Sequence, residues 1–257
     1  MKVAILDCET EGLVPSEICT VIELATILCD TEDQEDPKPL DFLSYFNDPG
    51  RPLEQHIKDL TGIEDEWLRG EKIDVPQVQA LLDRADVVIA KNSAFDRGFI
   101  EPLGLTAKRW GCANIHIPWE KYLFMHGKSQ RLLMFEHGLT PSSHRALSDC
   151  EDLWRLLQCS PKDRLVQRPA TEDGRYLDTL LRNMEEEWFL CVCTPPYDLR
   201  QVVKDAGFSW SSLSKRWYRL HSKSEGAAIK QLVAGFSPRW LPADPTDSGL
   251  LRRNGLE

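Results

Sequence analysis

Four carboxylates and one histidine have the types and spacing that could do chemistry. Asp7 and Glu9 lie two apart in "DCETEG", directly behind the apolar run "VAIL" at 3 to 6. Residues i and i+2 of a strand share a face, so both acids would project together from a buried strand's end. Asp96 closes "NSAFD" at 92 to 96, and His144 and Asp149 bracket "HRALSD" at 144 to 149. Each has a bland alternative. "ETEG" is an ordinary polar turn, Ser93 and Asp96 fit a helix-capping pattern, and a histidine five residues before an aspartate can be a chance surface pair. Asp149 resists that treatment, because it stands three after Ala146 and four before Leu153 at the margin of an apolar stripe. A charge there wants a cation or a donor.

Acids brought within about 4 to 6 Å of one another repel and raise each other's pKa values unless divalent ions neutralise them. Ligands that are all oxygen favour Mg²⁺ or Mn²⁺ over zinc. Two such ions about 3.5 to 4 Å apart suit phosphoryl displacement, one helping to generate hydroxide and the other stabilising the leaving oxygen. A histidine on a neighbouring loop then takes the proton of the attacking water, which is the role expected of His144.

The elements that must position these groups are legible from periodicity. "VAIL" reads as a buried strand that emerges into a turn at "DCETEG". "CTVIELATILCD" at 19 to 30 and "LDFLSYFNDPG" at 40 to 50 are two further strands, giving a meander. "VPQVQALLDRA" at 75 to 85 spaces Val75, Val78, Leu81 and Leu82 as a helix, and residues 87 to 90 form a strand running into a new helix. Around Ser148 a helix is expected, with Leu147, Cys150, Leu153, Trp154 and Leu157 on one stripe. Strands first, then alternating helix and strand, predict an α/β sheet of mixed direction flanked by helices, with acids from separate segments converging at one sheet edge.

At 257 residues and 42% apolar composition the chain can hold one generous α/β domain plus a small one. No stretch approaches the roughly 18 to 20 apolar residues of a membrane span, and "MKVAILDCETEG" turns acidic too soon for a signal peptide, so a cytoplasmic protein without a membrane partner is expected. Eight cysteines without a CxxC pair read as reduced, mostly buried thiols. The net charge of −10 argues at first against nucleic acid. Its distribution changes that, because residues 188–240 hold eight bases against three acids, while residues 1–187 carry −14.

Together "DCETEGL", "VIELATI", "NSAFD" and "HRALSD" resemble the three exonuclease motifs of the DEDD superfamily in its histidine subgroup, the group of the proofreading epsilon subunit of bacterial DNA polymerase III. "FNDPGRPLEQHIKDLTGIEDEWL" at 46 to 68 is similar to the stretch joining that family's third strand to its next helices. The resemblance implies a ribonuclease-H-like mixed sheet and a 3′–5′ exonuclease with two Mg²⁺ or Mn²⁺ ions. Asp7, Glu9, Asp96 and Asp149 would be the metal carboxylates and His144 the general base. Thr10 would meet the terminal nucleotide, with Asn92 and Phe95 shaping the site around it. Ala113, in "RWGCANIHIPW", stands where the family's threonine is usual. Histidine in "SSHRALSD" decides against the tyrosine subgroup.

The resemblance implies an exonuclease domain over 1–160, followed by a linker at 161–175, a small α/β module at 176–240 and a flexible tail at 241–257. In that module "WFLCVCT" and "KRWYRL" read as strands and "DLRQVVKDAGFSW" as a helix ended near Gly207. Nine aromatic residues interleave with the eight bases between 188 and 240. Strand alternation in "SKRWYRL" would put Lys215, Trp217 and Arg219 on one face, which suits a module that holds the substrate strand; the alternative is a packing module whose aromatics are simply core. The partner expected is a DNA 3′ end, single-stranded or on a frayed duplex. The alternatives are an RNA-directed exonuclease with the same chemistry and a non-catalytic module that binds nucleic acid or a polymerase.

Overall fold

A computed structural model describes residues 1–16, 19–32, 38–122, 127–142, 144–160 and 174–256. The chain divides into two compact units, Met1–Leu181 and Arg182–Glu257.

The first unit is built on strands β1 (Lys2–Thr10), β2 (Val21–Asp30), β3 (Asp41–Phe46), β4 (Val87–Ala90) and β5 (Trp110–Cys112), in the order β3-β2-β1-β4-β5. β1, β2 and β3 form the antiparallel meander expected from sequence, while β4 pairs parallel to both β1 and β5. The central pair is buried almost throughout, which is why both strands read as apolar runs without alternation. α1 (Gln55–Thr61) and α2 (Asp65–Leu68) place Ile57 and Leu68 against Ile22 and Leu53. α3 (Val75–Leu82) begins at Asp74, whose carboxylate accepts from the Gln77 amide, with Pro76 in the first turn.

Together α3 and α4 (Ser93–Ile100) bury Val78, Leu81, Phe99 and Ile100 against Ala4, Leu6 and Cys8. Strand alternation therefore turns Asp7 and Glu9 to the opposite face. Between β5 and the last long helix of this unit lie α5 (Ala113–His116), α6 (Trp119–Tyr122) and α7 (Gln130–Glu136). α8 (Ala146–Gln158) covers the face of Asp7, with the Cys150 thiol 3.5 Å from the Ala25 carbonyl, and Ala25 lies across the ladder from Asp7.

α9 (Tyr176–Met184) corrects the expected boundary at residue 176. Tyr176 is fully buried, its ring 4.7 Å from that of Trp119 and its hydroxyl 2.9 Å from His137 Nε2, so the division falls after Leu181. Arg175, expected in a linker, donates to Gln158 Oε1 at 2.8 Å and to the Thr31 carbonyl at 3.1 Å. Positions 161–173 of that linker lie outside the described residues.

The second unit contains β6 (Trp188–Cys193), α10 (Arg200–Asp205), β7 (Ser209–Ser211), β8 (Arg216–Ser222), α11 (Gly226–Val233), β9 (Arg239–Ala243) and α12 (Leu250–Arg253). Its sheet runs β7-β8-β6-β9, antiparallel at every pairing. Val203, Phe208, Ile229 and Val233 pack with Cys191 and Cys193, and Trp217 leans on that core. The chain leaves α10 through Gly207 at φ 79°, a left-handed turn that glycine adopts without strain. Lys215 does not join β8. It sits in the preceding turn at φ 54°, so the expected face of two cations around Trp217 is not formed. Arg219 is also engaged, by Glu225 and the Ala206 carbonyl.

The expected flexible tail instead contributes β9's last residues and α12, and Leu250 and Leu256 bury against Leu190 and Val192. All eight cysteines are free, and six are buried. No helix among the described residues is long and apolar enough to cross a membrane. Because Leu250 is only 6% exposed, Leu250→Ala is expected to cost the second unit about 2 to 3 kcal/mol. Urea unfolding followed by tryptophan fluorescence measures this, and an unchanged midpoint would mean the tail does not pack.

Candidate active site

β1 continues past "VAIL" to Thr10 because β2 pairs with it along its whole length, Asp7 opposite Ala25 and Glu9 opposite Glu23. Both acids thus stand in the strand, where the sequence suggested a turn. Carboxylate oxygens of Asp7, Glu9 and Asp149 lie within 4.8 Å of one another. Asp149 arrives in the first turn of α8, where the helix N-terminus favours an anion.

Asp96 comes from the other side of the sheet, on α4, only 3% exposed and with the Cys8 thiol donating to it at 3.4 Å. The capping role that sequence allowed is not taken up. Asn92 is the N-cap, no side chain caps the helix, and Asp96 faces the strand.

Crowding sets the electrostatics. Burial first, then the charges of Asp96, Asp149, Glu9 and Glu23, push the Asp7 carboxyl well above the usual range. Burial raises Glu9 to about 7, with Asp149 and Glu23 adding to it and His144 and Arg145 opposing. Burial raises Asp96 to about 7 against the pull of the Cys8 thiol. Asp149 rises to about 7 through burial, then through Asp152 and Glu23.

His144 is exposed on the segment leading into α8 and lines a cavity of about 180 Å³ together with Asp7, Asp149 and Lys91. That segment is fastened on both sides by acids that the sequence reading gave no role. Glu23, 1% exposed, accepts a fork from Arg145, at 3.0 and 3.1 Å from Nε and 2.8 Å from Nη2. It also accepts the Ala146 amide at 3.1 Å, capping α8 in place of a local side chain. Asp152, also 1% exposed, accepts the Ser142 amide at 2.6 Å. The Arg145 guanidinium lies 5.0 Å from the Phe46 ring centre and 5.6 Å from that of Trp67.

Gln130 and Lys91 were missed as well. Gln130 Nε2 donates to the Asp149 carbonyl at 2.8 Å and to its carboxylate at 3.2 Å. Burial lowers the Lys91 ammonium to about 8, and it donates to Asn114 and to the Lys128 carbonyl. Only Glu23 had a sequence signal, a lone charge inside the β-branched "VIELATI".

The expected substrate residues are placed less uniformly. The Thr10 hydroxyl donates to the Gly12 carbonyl at 2.7 Å, where β1 ends. Asn92 is exposed, and Phe95 is half-buried with its ring 5.0 Å from that of Phe99. Ala113, at the start of α5, is buried.

A family model described as Exonuclease (RNase_T) matches residues 4–157. The DNA polymerase III PolC-type of Halalkalibacterium halodurans is 30% identical over 197 residues, covering 71% of this chain and 12% of that protein. That of Listeria innocua is 30% identical over 167 residues, 60% of this chain and 11% of its own length. The chain thus spans about a tenth of the length of these curated relatives. Among solved structures, Exonuclease X in complex with 5′ overhanging duplex DNA is similar with a TM-score of 0.45 at 21% identity, over 59% of this chain and 86% of that one.

Two outcomes test this site. Arg145→Met leaves Glu23 buried without its cation and is expected to cost about 3 to 5 kcal/mol, while the Glu23→Gln/Arg145→Met pair recovers most of the loss. If denaturation shows the single variant as stable as the parent, the pair does not organise the site. The second outcome concerns pH. Folded pKa values near 7 lie above the unfolded value of about 4, so these acids bind protons on folding. Their stability contribution is full below about pH 4 and is lost as pH rises to 7. Asp149→Asn should therefore raise the melting temperature of chelated protein at pH 8, and less so at pH 5. No gain at pH 8 would mean that the acids do not strain one another.

Proposed function

The chain belongs to the exonuclease family whose model matches residues 4–157, and from that premise we propose that it is a metal-dependent 3′–5′ exonuclease acting on DNA. The observation that carries the reading is the convergence of Asp7, Glu9 and Asp149 within 4.8 Å, with Asp96 behind the strand and His144 on the same cavity. DNA is favoured because the curated relatives are DNA polymerases III.

The donors fit a hard divalent cation. They are carboxylate oxygens only, half-buried together, with their pKa values raised. Asp7, Glu9, Asp96 and Asp149 would hold two Mg²⁺ or Mn²⁺ ions, which when bound supply Lewis-acid activation of water and neutralise charge at the leaving oxygen.

The chain's own residues do the rest. His144 accepts the proton of the attacking water, whose oxygen bonds to the terminal phosphorus. The bond from phosphorus to the 3′ oxygen breaks, the electron pair stays on that oxygen, and solvent protonates it. A nucleoside monophosphate leaves, and a strand shorter by one residue keeps a 3′ hydroxyl. Thr10, Asn92 and Phe95 hold the terminal nucleotide, Thr10 from the end of β1 and the other two from the start of α4. Glu23 and Asp152 keep the loop of His144 in place.

Matched single-stranded DNA, duplex DNA and RNA, labelled at either end, test polarity and sugar preference together. Mononucleotide release from DNA 3′ ends that stops on chelation is expected, and undiminished activity after exhaustive chelation would overturn the reading. His144→Ala should lower turnover about 10² to 10⁴-fold with the fold retained. A variant with parental turnover would remove the base from the mechanism.

A further inference from the structure

The second unit holds a cleft of about 520 Å³ lined by Arg200, Lys204, Phe208, Ser209, Trp210 and Trp217. That lies within the ~300 to 1,000 Å³ of typical ligand sites. Its cations come from α10, where Arg200 and Lys204 are four residues apart and share a helix face. Neither meets an acid among the described residues. The Arg200 guanidinium donates to the Tyr197 carbonyl and lies over the Tyr197 ring at 3.3 Å, and Lys204 has no side-chain partner among the described residues. Elsewhere in the unit Arg219 is matched by Glu225 and Lys223 by Glu187, while Lys215, Arg216, Lys230 and Arg239 likewise meet no acid among the described residues. Two of the unit's unneutralised cations thus stand side by side on the cleft.

The rings divide in the same way. Phe208 is 3% exposed, and it and Trp217 serve the core. Trp210 stands outside that cluster, on the three-residue edge strand β7, and is 46% exposed. It faces Trp217 across the ladder, the rings 5.6 Å apart at 55°, a tilt that does not stack one upon the other. Tyr197, 80% exposed, adds a ring beside Arg200.

We propose that this cleft binds single-stranded nucleic acid, a base stacking on Trp210 while the adjoining phosphates meet Arg200 and Lys204. The charge balance of residues 188–240, eight bases against three acids, suits a polyanion. An acidic peptide would satisfy the cations and leave the indole unused, whereas every nucleobase has a face to stack. The proposal does not depend on the catalytic reading.

The test uses the full chain with EDTA present, so that no hydrolysis occurs, and follows anisotropy of a 5′-labelled oligothymidylate. Trp210→Ala is expected to weaken binding about 5-fold or more, and Trp210→Phe to restore part of the loss. Arg200→Ala/Lys204→Ala, on an exposed helix face, should lower the slope of log affinity against log salt by about 1 to 1.5. All three variants should keep parental single-turnover cleavage at saturating DNA and Mg²⁺. Unchanged affinity and slope in both the Trp210→Ala and the double variant would overturn the proposal. So would displacement by polyglutamate that equals displacement by unlabelled oligothymidylate. Should the parent chain show no nuclease activity while binding still responds to these variants, the catalytic reading fails and the cleft stands.

Discussion

One ion pair holds the candidate site in register. Glu9 and Glu23 face each other across antiparallel strands, a placement in which like charges destabilise the ladder. Arg145 resolves it with a forked contact to Glu23, and its guanidinium is placed against the rings of Phe46 and Trp67. The same carboxylate takes the first amide of α8. The angle at which Asp149 approaches β1, and the point from which the His144 loop departs, both follow from where Glu23 sits. Removing Arg145 alone would leave the Glu23 charge buried and unanswered beside the start of a helix.

The fold was legible where periodicity is strong and local. β1, β2 and β4 are short apolar runs, and Val78, Leu81 and Leu82 announce α3. The four acids and His144 stood out in the sequence because each lies near the end of an apolar run or the start of a helix. The supporting shell could not. Glu23 and Arg145 are 122 residues apart, and nothing in "HRALSD" says which carboxylate its arginine will meet. Asp152 looks like one more solvated acid of "CEDLW", yet it is buried and anchors Ser142. Lys91 precedes "NSAFD" as an ordinary surface lysine would, and only the packing of β4 and α5 encloses it near Asn114.

In the second unit, alternation failed for a specific reason. Lys215 spends its position on a left-handed turn, so β8 begins one residue later than "KRWYRL" suggests. Trp217 turns inward, where its ring area is worth more to a small core than to a surface. Composition marks residues 188–240 as basic and aromatic, but it cannot say which cations are answered by acids. Tyr176 misled in the other direction. It opens a helix behind an apparent linker, yet it completes an aromatic cluster with Trp119, Tyr122 and His137 in the first unit.

Cys8 lies between the two acids in sequence but on the opposite face of the strand, its sulfur against Asp96. Burial, then the charges of Asp96 and Asp7, push its thiol well above the ordinary range, and Cys150 on α8 is raised in the same way. A sulfur kept protonated is neither an effective nucleophile nor a soft-metal ligand. Copper(I) meets no thiolate at this centre, and peroxide meets no readily oxidised sulfur. Burial first, and the charges of the neighbouring acids after it, thus favour the protonated thiol at Cys8 and Cys150.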